Sequence, residues 1–382
     1  MDPEKRGIKK LSLENIFIGI TVLLGIIIVI NIMLTFNLNK DLKKSAELAE
    51  EKSKPAKIEL TLIKNSKCSD CFDISTVVNH IKSANVNITK ENAIEFNSKD
   101  AKDAINKYQI KKIPALIVTG EIGKVSIQGL EKKEDALLLS NILPPYTNAS
   151  TGRIEGRVTL YYLKDPACGK CSDLSILISQ IKLAGVKISE EKAVSPDGGE
   201  GKELIGKYNI GFAPAIILSK DASAYPIIQQ AWPQIGSKET DGSYVLRVVN
   251  PPFINLTTGK LRGIVNIVYL TDKSCTPCYN ASQHKEILVN PQSFAVKLDK
   301  EETFDISDAK GKELIARYNI TKVPTVILSD EIGAYPSTQV LKQFYSVEKD
   351  NSYVFRLLSA VGTYKDLATS QIVKPTEATK QQ

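Results

Sequence analysis

Six cysteines, arranged as three Cys-x-x-Cys pairs, are the residues of this 382-residue chain best suited to chemistry. The pairs are Cys68–Cys71, Cys168–Cys171 and Cys275–Cys278, and they account for every cysteine in the sequence. Two thiols at this spacing lie close enough to close a small disulfide and to reopen it without moving the rest of the fold. Because a thiolate can attack a disulfide and a second thiol can resolve the mixed disulfide, the pattern predicts thiol–disulfide exchange.

A static structural role is the alternative for the same cysteines. A disulfide across two intervening residues closes a very short loop, and the stabilisation by a disulfide grows with the length of the loop that it closes. The spacing therefore favours redox activity over a structural staple.

A proline follows each cysteine pair at nearly the same distance. Pro114 and Pro214 come 46 residues after the first cysteine of their pair, and Pro324 comes 49 residues after it. A Tyr-x-Ile sequence precedes each proline, and an apolar run follows it. These matching positions indicate three tandem copies of one unit, with a period of about 100 residues that suits one small domain each.

The second copy shows the expected elements of each unit most clearly. Val158 to Leu163 is rich in β-branched and aromatic residues, which predicts a strand leading to the cysteines. Apolar residues recur at helical spacing from Leu174 to Ile181, which predicts a helix directly after the pair. A second helix is expected over Lys202–Tyr208 and a strand after the proline. This alternation predicts an α/β fold in which helices flank a mixed sheet.

The expected helix bears on the reactivity of the thiols. We expect the first cysteine of each pair at a helix N-terminus, where unpaired N–H groups and the helix dipole stabilise a thiolate. Such surroundings can lower a cysteine pKa from about 8.5 to about 3.5–7.5. The predicted attacking thiols are Cys68, Cys168 and Cys275, and the predicted resolving thiols are Cys71, Cys171 and Cys278.

The residues between the cysteines should make the three pairs differ. Lys170 is expected to favour the thiolate of Cys168, and Asp70 is expected to disfavour that of Cys68. Pro277 should stiffen the third loop. Because about 30 mV of reduction potential corresponds to about 1.4 kcal/mol, such local fields are sufficient to separate three sites.

These features together resemble the thioredoxin superfamily, with its strand, Cys-x-x-Cys pair, helix and later cis-proline before a strand. Ile320–Thr325 is most similar to the thioredoxin loop around that proline, and the resemblance covers Lys57–Lys365 as three tandem modules. The strand leading straight into the site is similar to glutaredoxins as well. The resemblance implies that the cis-prolines lie beside the cysteines and that the neighbouring backbone pairs with an incoming peptide. The substrate-binding residues that it implicates are Ile113, Pro114, Ala213, Pro214, Val323 and Pro324.

The chain departs from thioredoxins at two sets of positions. The tryptophan before the first cysteine is replaced by Lys67, Ala167 and Ser274. The buried acid of the preceding strand is replaced by Leu62, Tyr162 and Tyr269, so the usual proton acceptor for the resolving cysteine is absent. Asp165 and Asp272, three residues before a cysteine, are expected to cap a turn rather than to take over that role.

An apolar segment near the N-terminus predicts a membrane anchor. Ile16–Phe36 holds 21 residues without a charge, and a helix of that length spans about 31 Å, enough for a hydrocarbon core of about 30 Å. A cleaved signal peptide has a shorter apolar region and a small-residue cleavage site, so an uncleaved anchor is favoured. Flanking lysines are balanced and do not decide the orientation. The short N-terminal tail and the cysteine usage predict that the C-terminal domains are extracytoplasmic.

Paired prolines, glycines and polar residues predict surface linkers between the modules. The predicted organisation is a tail over 1–15, a transmembrane helix over 16–36, a charged stalk over 37–56, domain 1 over 57–145, a linker over 146–156, domain 2 over 157–250, a linker over 251–262, domain 3 over 263–365 and a polar tail over 366–382.

The leading hypothesis is a single-pass membrane protein that acts as an extracytoplasmic thiol–disulfide oxidoreductase on exported proteins. It would form, reduce or isomerise disulfides in protein substrates together with a redox partner that the sequence does not identify. No cofactor is predicted, because the cysteines themselves carry the electrons. The alternatives are a non-catalytic peptide-binding or chaperone array and a Cu/Zn thiol carrier.

Neither a structural zinc site nor nucleic-acid binding is predicted. Structural zinc needs four ligands and each module supplies two thiols, while His284 is expected to be an ordinary surface histidine. The net charge of +7 is spread along the chain without interleaved aromatic residues, which does not favour nucleic acid as a partner.

Overall fold

The structure, a computed structural model, describes residues 13–139 and 141–375. Helix α1 runs over Leu13–Ser53, and the side chains of 13–21 and of several positions between 37 and 53 lie outside the description. Within the part of the chain that is described, no helix is both long enough and apolar enough to cross a membrane. Most of the predicted tail over 1–15 and the first side chains of the predicted span Ile16–Phe36 lie outside the described residues.

The first module follows α1 and contains two helices and seven strands within its described part. They are β1 (Ala56–Lys64), α2 (Ser75–Lys82), β2 (Val86–Glu95), α3 (Lys99–Tyr108), β3 (Lys112–Ile113), β4 (Ala115–Gly120), β5 (Glu131–Lys133), β6 (Ala136–Leu139) and β7 (Tyr146–Asn148). A short strand, β8 (Ile154–Glu155), precedes the second module.

The second and third modules repeat this order and add a short helix after the proline-led strand. The second contains β9 (Val158–Leu163), α4 (Ser175–Leu183), β10 (Ile188–Val194), α5 (Gly199–Tyr208), β11 (Phe212–Ala213), β12 (Ala215–Leu218), α6 (Pro226–Ala231), β13 (Gly236–Lys238), β14 (Tyr244–Leu246), β15 (Phe253–Asn255) and β16 (Lys260–Arg262). The third contains β17 (Ile264–Thr271), α7 (Gln283–Val289), β18 (Lys297–Asp305), α8 (Ala309–Tyr318), β19 (Lys322–Val323), β20 (Thr325–Leu328), α9 (Thr338–Leu341), β21 (Tyr345–Val347), β22 (Tyr353–Phe355), β23 (Tyr364–Asp366) and β24 (Ile372–Val373).

Each module is built on a five-stranded mixed sheet with the same topology. In the first module the order is β2-β1-β4-β6-β5, and the other two sheets repeat it as β10-β9-β12-β14-β13 and β18-β17-β20-β22-β21. The strand that leads to the cysteines is parallel to the next strand in sequence and antiparallel to the strand after the proline. The predicted α/β architecture with three sheet-plus-helix modules is therefore confirmed.

The chain divides into two compact units. One contains the first module up to Ile142 together with Thr147–Gly152. The other contains Leu143–Tyr146 and the described chain from Arg153 onward, so that it includes both the second and the third module.

The segments predicted as linkers and as a polar tail contain strands. β15 and β16 lie in the predicted linker 251–262. β23 ends at the predicted start of the polar tail at 366, and β24 lies within that tail. These strands form because each hairpin has an apolar residue to bury. Tyr364 is part of the core of the third module, and Phe253 packs against the core of the second module. The first predicted linker likewise supplies β7, in which Thr147 and Asn148 pair with β3.

The Tyr-x-Ile sequences place the prolines. Each tyrosine is the last residue of a helix and is buried, and the next residue has a left-handed conformation, with φ between 47° and 53°, that ends the helix. The tyrosine hydroxyl donates to an aspartate near the sheet edge, as from Tyr208 to Asp241 at 2.9 Å and from Tyr318 to Asp350 at 2.8 Å. The helix end is thereby fixed, and the chain turns back toward the cysteines four residues before the proline.

His284 is buried in the third module, in contrast to the surface position predicted from the sequence. Its Nδ1 lies 3.0 Å from Tyr345 Oη, and its ring packs against Phe355 at 4.4 Å between centroids. Its Nε2 has no hydrogen-bond partner among the described residues. Burial in these aromatic surroundings lowers the pKa of His284 to about 4.

We expect acid to destabilise the third module through His284. The imidazole has a pKa of about 4 in the folded chain and of about 6.5 when unfolded, so unfolding takes up a proton at pH 5. The stabilisation that comes from keeping the buried imidazole neutral is complete above pH ~6.5 and is lost as the pH falls. The free energy of unfolding should therefore decrease by about 2 kcal/mol between pH 7 and pH 5. Hydrogen exchange of the β17 and β20 amides, corrected for intrinsic rates, measures the loss. A His284→Phe chain with the same loss would contradict this prediction.

Candidate redox sites

All three cysteine pairs form disulfides just beyond the strand that leads to them. The Cα atoms are 5.4 Å apart in the first pair and 5.5 Å apart in the second and third. The first cysteine of each pair follows the end of β1 or β17 by four residues and the end of β9 by five residues. The sequence correctly predicted this order of strand and cysteine pair, and the distance suits a disulfide that opens and closes in place.

The helix after each pair begins later than predicted. α2 and α4 begin seven residues after the first cysteine, and α7 begins eight residues after it. No cysteine therefore occupies a helix N-terminus, and the stabilisation of a thiolate by the first turn, expected from the sequence, does not apply to these sites.

A side-chain-capped turn delays each helix. Asp73 Oδ1 accepts from Ser75 N at 2.9 Å, and Asp173 and Asn280 accept in the same way from the serine two residues on. Such turns compete with helix for the backbone N–H groups, so the chain between cysteine and helix stays irregular. Where the residue is aspartate, the negative charge at the start of the helix belongs to a carboxylate and not to a thiolate.

The prolines lie beside the cysteines, as the resemblance implied. The Ile113–Pro114, Ala213–Pro214 and Val323–Pro324 peptide bonds are all cis. Cys171 Sγ lies 4.0 Å from the carbonyl oxygen of Ala213, and Cys278 Sγ lies 4.0 Å from that of Val323. In the first module, Ile113 and Pro114 line a cavity of about 500 Å³ together with both cysteines.

The backbone before each cis-proline is already paired with another part of the chain. Ile113 pairs with Thr147, Ala213 with Ile254, and Val323 with Lys365, each in antiparallel register. We call β7, β15 and β23, which supply these partners, the covering strands. They pair with the backbone next to the cis-proline, the segment that the resemblance assigned to an incoming peptide.

In the second and third modules the residue directly before the covering strand also bonds to the cysteine loop. Ser172 N, just after Cys171, donates to Pro252 O at 2.7 Å, and Tyr279 N, just after Cys278, donates to Thr363 O at 2.9 Å. β15 and β23, each together with the residue before it, therefore connect the proline loop and the cysteine loop of their modules. The N–H group after the second cysteine is satisfied by a carbonyl and is not available to a thiolate.

Sequence reasoning missed the covering strands, although a signal for them was present. The Asn-x-(Ser/Thr)-Thr-Gly repeat, interpreted as a linker, is the turn of a hairpin. Asn255 Oδ1 accepts from Thr257 N and Thr258 N, both at 3.0 Å, and Asp366 caps the matching turn of the third module. A capped turn between short apolar stretches is a hairpin signal.

An ion pair fixes the covering strand of the third module. Lys365 Nζ lies 2.6 Å from Asp272 Oδ2 and 3.1 Å from Ser274 Oγ, directly before Cys275. The Asp272 side chain is only 5% exposed. Burial opposes its ionisation, but the hydrogen bonds from Lys365 and Ser274 outweigh this and hold the pKa of Asp272 below its usual value.

Asp165 and Asp272 cap turns, as predicted. Asp165 Oδ1 accepts from Ala167 N, and Asp272 Oδ1 accepts from Ser274 N, each at 2.8 Å. Their backbone carbonyls accept from the N–H groups of Cys168 and Cys275. The aspartates thus shape the cysteine loops of these two modules.

A buried threonine approaches a cysteine in the first module. Thr147 is fully buried, and its Oγ1 lies 4.0 Å from Cys71 Sγ. Asn65 Nδ2 donates to the same oxygen at 2.9 Å, and Asn65 Oδ1 accepts from Lys67 N at 3.0 Å. This chain of contacts links the cysteine loop, the covering strand and the second sulfur of the pair.

Asp70 and Lys170, the charged residues between the cysteines, contact different groups. Asp70 Oδ1 lies 3.6 Å from Cys68 Sγ, close enough to disfavour a thiolate there, in line with the prediction. Lys170, expected to act on Cys168, has its ammonium 3.0 Å from Asp299 on β18 instead. Both side chains of that pair are largely exposed, so solvent and the carboxylate together weaken its field at the sulfur.

A metal centre would have to be built from the two thiols of a module and other side chains. Within the described part of the chain, no three or more His, Cys, Asp or Glu side chains are grouped so that they could hold a metal ion.

Comparisons with known proteins give distant structural likenesses. No protein-family model and no curated protein matches the chain. The chain is similar to a crystal structure of ERdj5 (form II), with 10% identity, 74% of this chain and 39% of that chain covered, and a TM-score of 0.15. It is similar to the alkylhydroperoxide reductase subunit AhpF of Enterococcus faecalis, with 17% identity, 45% of this chain and 81% of that chain covered, and a TM-score of 0.15. It is also similar to zinc-bound human ERp44, with 11% identity, 72% of this chain and 78% of that chain covered, and a TM-score of 0.13.

The chain thus spans about two fifths of the length of the ERdj5 structures that it matches. Because these TM-scores are low, its fold is assigned from its own sheet topology and from the positions of the cysteines and cis-prolines. On that basis the chain is a multi-domain protein with thioredoxin-like modules.

Replacing Lys365 should loosen the covering strand of the third module. Lys365→Met leaves the buried Asp272 carboxylate without its cation, which should cost about 3 kcal/mol of local stability. The amide of Leu367, which donates to Thr321 O, reports the opening by hydrogen exchange. Adding Asp272→Asn should restore much of the protection, because no buried charge then remains unpaired. Unchanged exchange at Leu367 in the single variant would contradict a stabilising ion pair.

Proposed function

We propose that this chain is a protein thiol–disulfide oxidoreductase that exchanges electron pairs at its three cysteine pairs. The observation that carries the proposal is the recurrence of one geometry: a disulfide of short span next to a cis-proline, in each of three modules. A structural disulfide has no need of the proline, whereas exchange with a substrate needs a surface beside the sulfur. Thiols and disulfides of proteins are the proposed substrates.

The exchange in the second module can be written with balanced electrons. In the reduced module the thiolate of Cys168 attacks a substrate disulfide, and one substrate sulfur leaves as a thiolate. Cys171 then loses its proton and attacks Cys168 Sγ, which closes the module disulfide and releases the second substrate thiolate. The dithiol has given two electrons to the substrate, and the reverse sequence oxidises substrate thiols. We assign the same steps to Cys275 and Cys278.

The carbonyl before the cis-proline supports this order of attack in the second and third modules. A carbonyl oxygen accepts hydrogen bonds and cannot donate them. At 4.0 Å from Cys171 Sγ and Cys278 Sγ, it favours the protonated thiol of the second cysteine over its thiolate. The first cysteine is then the one that carries the negative charge.

The covering strands define how a substrate can approach. Because the backbone edge before the cis-proline is paired within the chain, the proposed substrate contacts are the proline rings and the open side of the cysteine loop. In the second module that side is a cavity of about 310 Å³ lined by Cys168, Cys171 and Pro214. Ile113, Ala213 and Val323 would then shape the site through their positions, without adding a substrate strand.

The proposal includes a membrane anchor and extracytoplasmic modules. The anchor is supported by the uncharged stretch Ile16–Phe36 and by the large apolar side chains that remain exposed on α1 from Val22 to Phe36. An apolar surface of that length needs an apolar surrounding. Retention in membranes after alkaline carbonate extraction, with the modules sensitive to protease only from the extracytoplasmic side, is the expected result. Release by carbonate would contradict the anchor, and protection from outside would contradict the orientation.

Substitution of the cysteines tests the catalytic proposal. The full chain should accelerate reduction of insulin disulfides by dithiothreitol, and a chain with all six cysteines replaced by serine should not. Cys171→Ser and Cys278→Ser should each accumulate a mixed disulfide on the first cysteine of the pair, because the resolving thiol is missing. Mass spectrometry of the trapped species identifies the bonded residue. A wild-type chain no faster than the six-serine chain would instead favour a peptide-binding array.

A further inference from the structure

The two cysteines of the first module lie in surroundings of opposite polarity. We propose that Cys71 is the attacking thiol of this module and Cys68 the resolving thiol, the reverse of the order predicted from the sequence. Thr147 would hold the negative charge on Cys71. This inference rests on the proposed thiol–disulfide exchange and assigns its direction at one site.

Hydrogen bonding fixes the direction in which the Thr147 hydroxyl donates. Asn65 Oδ1 accepts from Lys67 N, which identifies the oxygen side of the amide, and Asn65 Nδ2 therefore points its hydrogen at Thr147 Oγ1. Of the two side-chain partners of the hydroxyl in the described chain, the amide can only donate. A buried hydroxyl hydrogen needs an acceptor, and that acceptor is Cys71 Sγ.

The hydrogen bond from the Thr147 hydroxyl to Cys71 Sγ becomes stronger when the disulfide is reduced and Cys71 is a thiolate. A disulfide sulfur is a weak acceptor, whereas a thiolate takes part in a charge-assisted hydrogen bond. The hydroxyl is therefore a preformed donor for a negative charge on Cys71. Its position on β7, opposite Ile113, keeps it in place through the backbone pairing of the covering strand.

The surroundings of Cys68 work in the other direction. The Asp70 carboxylate lies 3.6 Å from Cys68 Sγ, and two adjacent negative charges disfavour each other. In the reduced module the negative charge is accordingly expected on the second sulfur.

The other two modules provide the contrast. There the group 4.0 Å from the second sulfur is the carbonyl oxygen of Ala213 or Val323, an acceptor. In the first module the group at that distance is the Thr147 hydroxyl, to which the Asn65 contacts assign the role of donor toward the sulfur. The residue opposite the pre-proline position is threonine only in the first module, and isoleucine and lysine in the others.

The reaction at this site balances with the roles exchanged. The Cys71 thiolate attacks the substrate disulfide, forms a bond to one substrate sulfur and releases the other as a thiolate. Cys68 then passes its proton to the Asp70 carboxylate and attacks Cys71 Sγ. The Cys68–Cys71 bond forms, the Cys71–substrate bond breaks, and the second substrate sulfur leaves as a thiolate that takes a proton from water. Two electrons move from the module to the substrate.

Limited alkylation of the full reduced chain tests the proposal. At pH 6.5, a substoichiometric amount of iodoacetamide should label Cys71 at least tenfold faster than Cys68, as read from fragment ions of the peptide that contains both. Thr147→Val should slow labelling of Cys71 about tenfold, because a hydrogen bond to a charged group is lost. Thr147→Ser, which keeps the hydroxyl, should restore the rate. Asp70→Asn should speed labelling of Cys68.

Matched variants separate this role from simple destabilisation. Thr325 in the third module is also buried and donates to Phe355 O, so Thr325→Val removes a similar bond without altering the labelling order in the first module. Cys68→Ser should retain a mixed disulfide on Cys71, whereas Cys71→Ser should retain none on Cys68. Faster labelling of Cys68 in the wild-type chain, or an unchanged Cys71 rate in Thr147→Val, would overturn the inference. Inert cysteines in all three modules would instead overturn the proposed function.

Discussion

The antiparallel pairing between each covering strand and the residue before the cis-proline is the interaction on which the three sites depend. It is only two residues long in each module, yet it joins the proline loop to a segment far along the chain. In the second and third modules the same segment also bonds to the residue after the second cysteine. The cysteines are thus enclosed between two loops that are tied together by main-chain hydrogen bonds, which satisfy groups that would otherwise be buried without partners.

This backbone pairing explains how three copies of one fold can have different polar groups around their cysteine sulfur atoms. The backbone of the covering strand is the same in each module, but its side chain opposite the pre-proline residue is free to vary. Thr147 reaches Cys71, whereas Lys365 reaches the aspartate before Cys275. A single position therefore changes the polarity around the disulfide without disturbing the sheet. Arrays of such modules can hold pairs of different reduction potential on one chain.

Much of the fold could be predicted from the sequence, and the gaps have physical causes. Strands and helices followed from apolar periodicity, and the positions of the prolines followed from the repeat. The covering strands were missed because two paired residues leave no periodic pattern and their partners are distant in sequence. The late start of the helices was missed because helical spacing from Leu174 onward says nothing about the Asp173 turn that precedes it. The burial of His284 depends on Tyr345 and Phe355, which no local pattern connects to it.

The hairpin of the second module has a further consequence for how the chain can be divided. Its last residue, Arg262, pairs with Glu331 at 2.9 Å, and Gly263 N donates to the same carboxylate, so the hairpin is attached to the body of the third module. A fragment cut at the apparent domain end near residue 250 would lose β15, the strand that pairs with the residue before Pro214 beside its cysteine pair. A fragment that kept β15 and β16 would expose the surface where Arg262 was held. A fragment meant to keep the second cysteine site intact must therefore extend at least through β15.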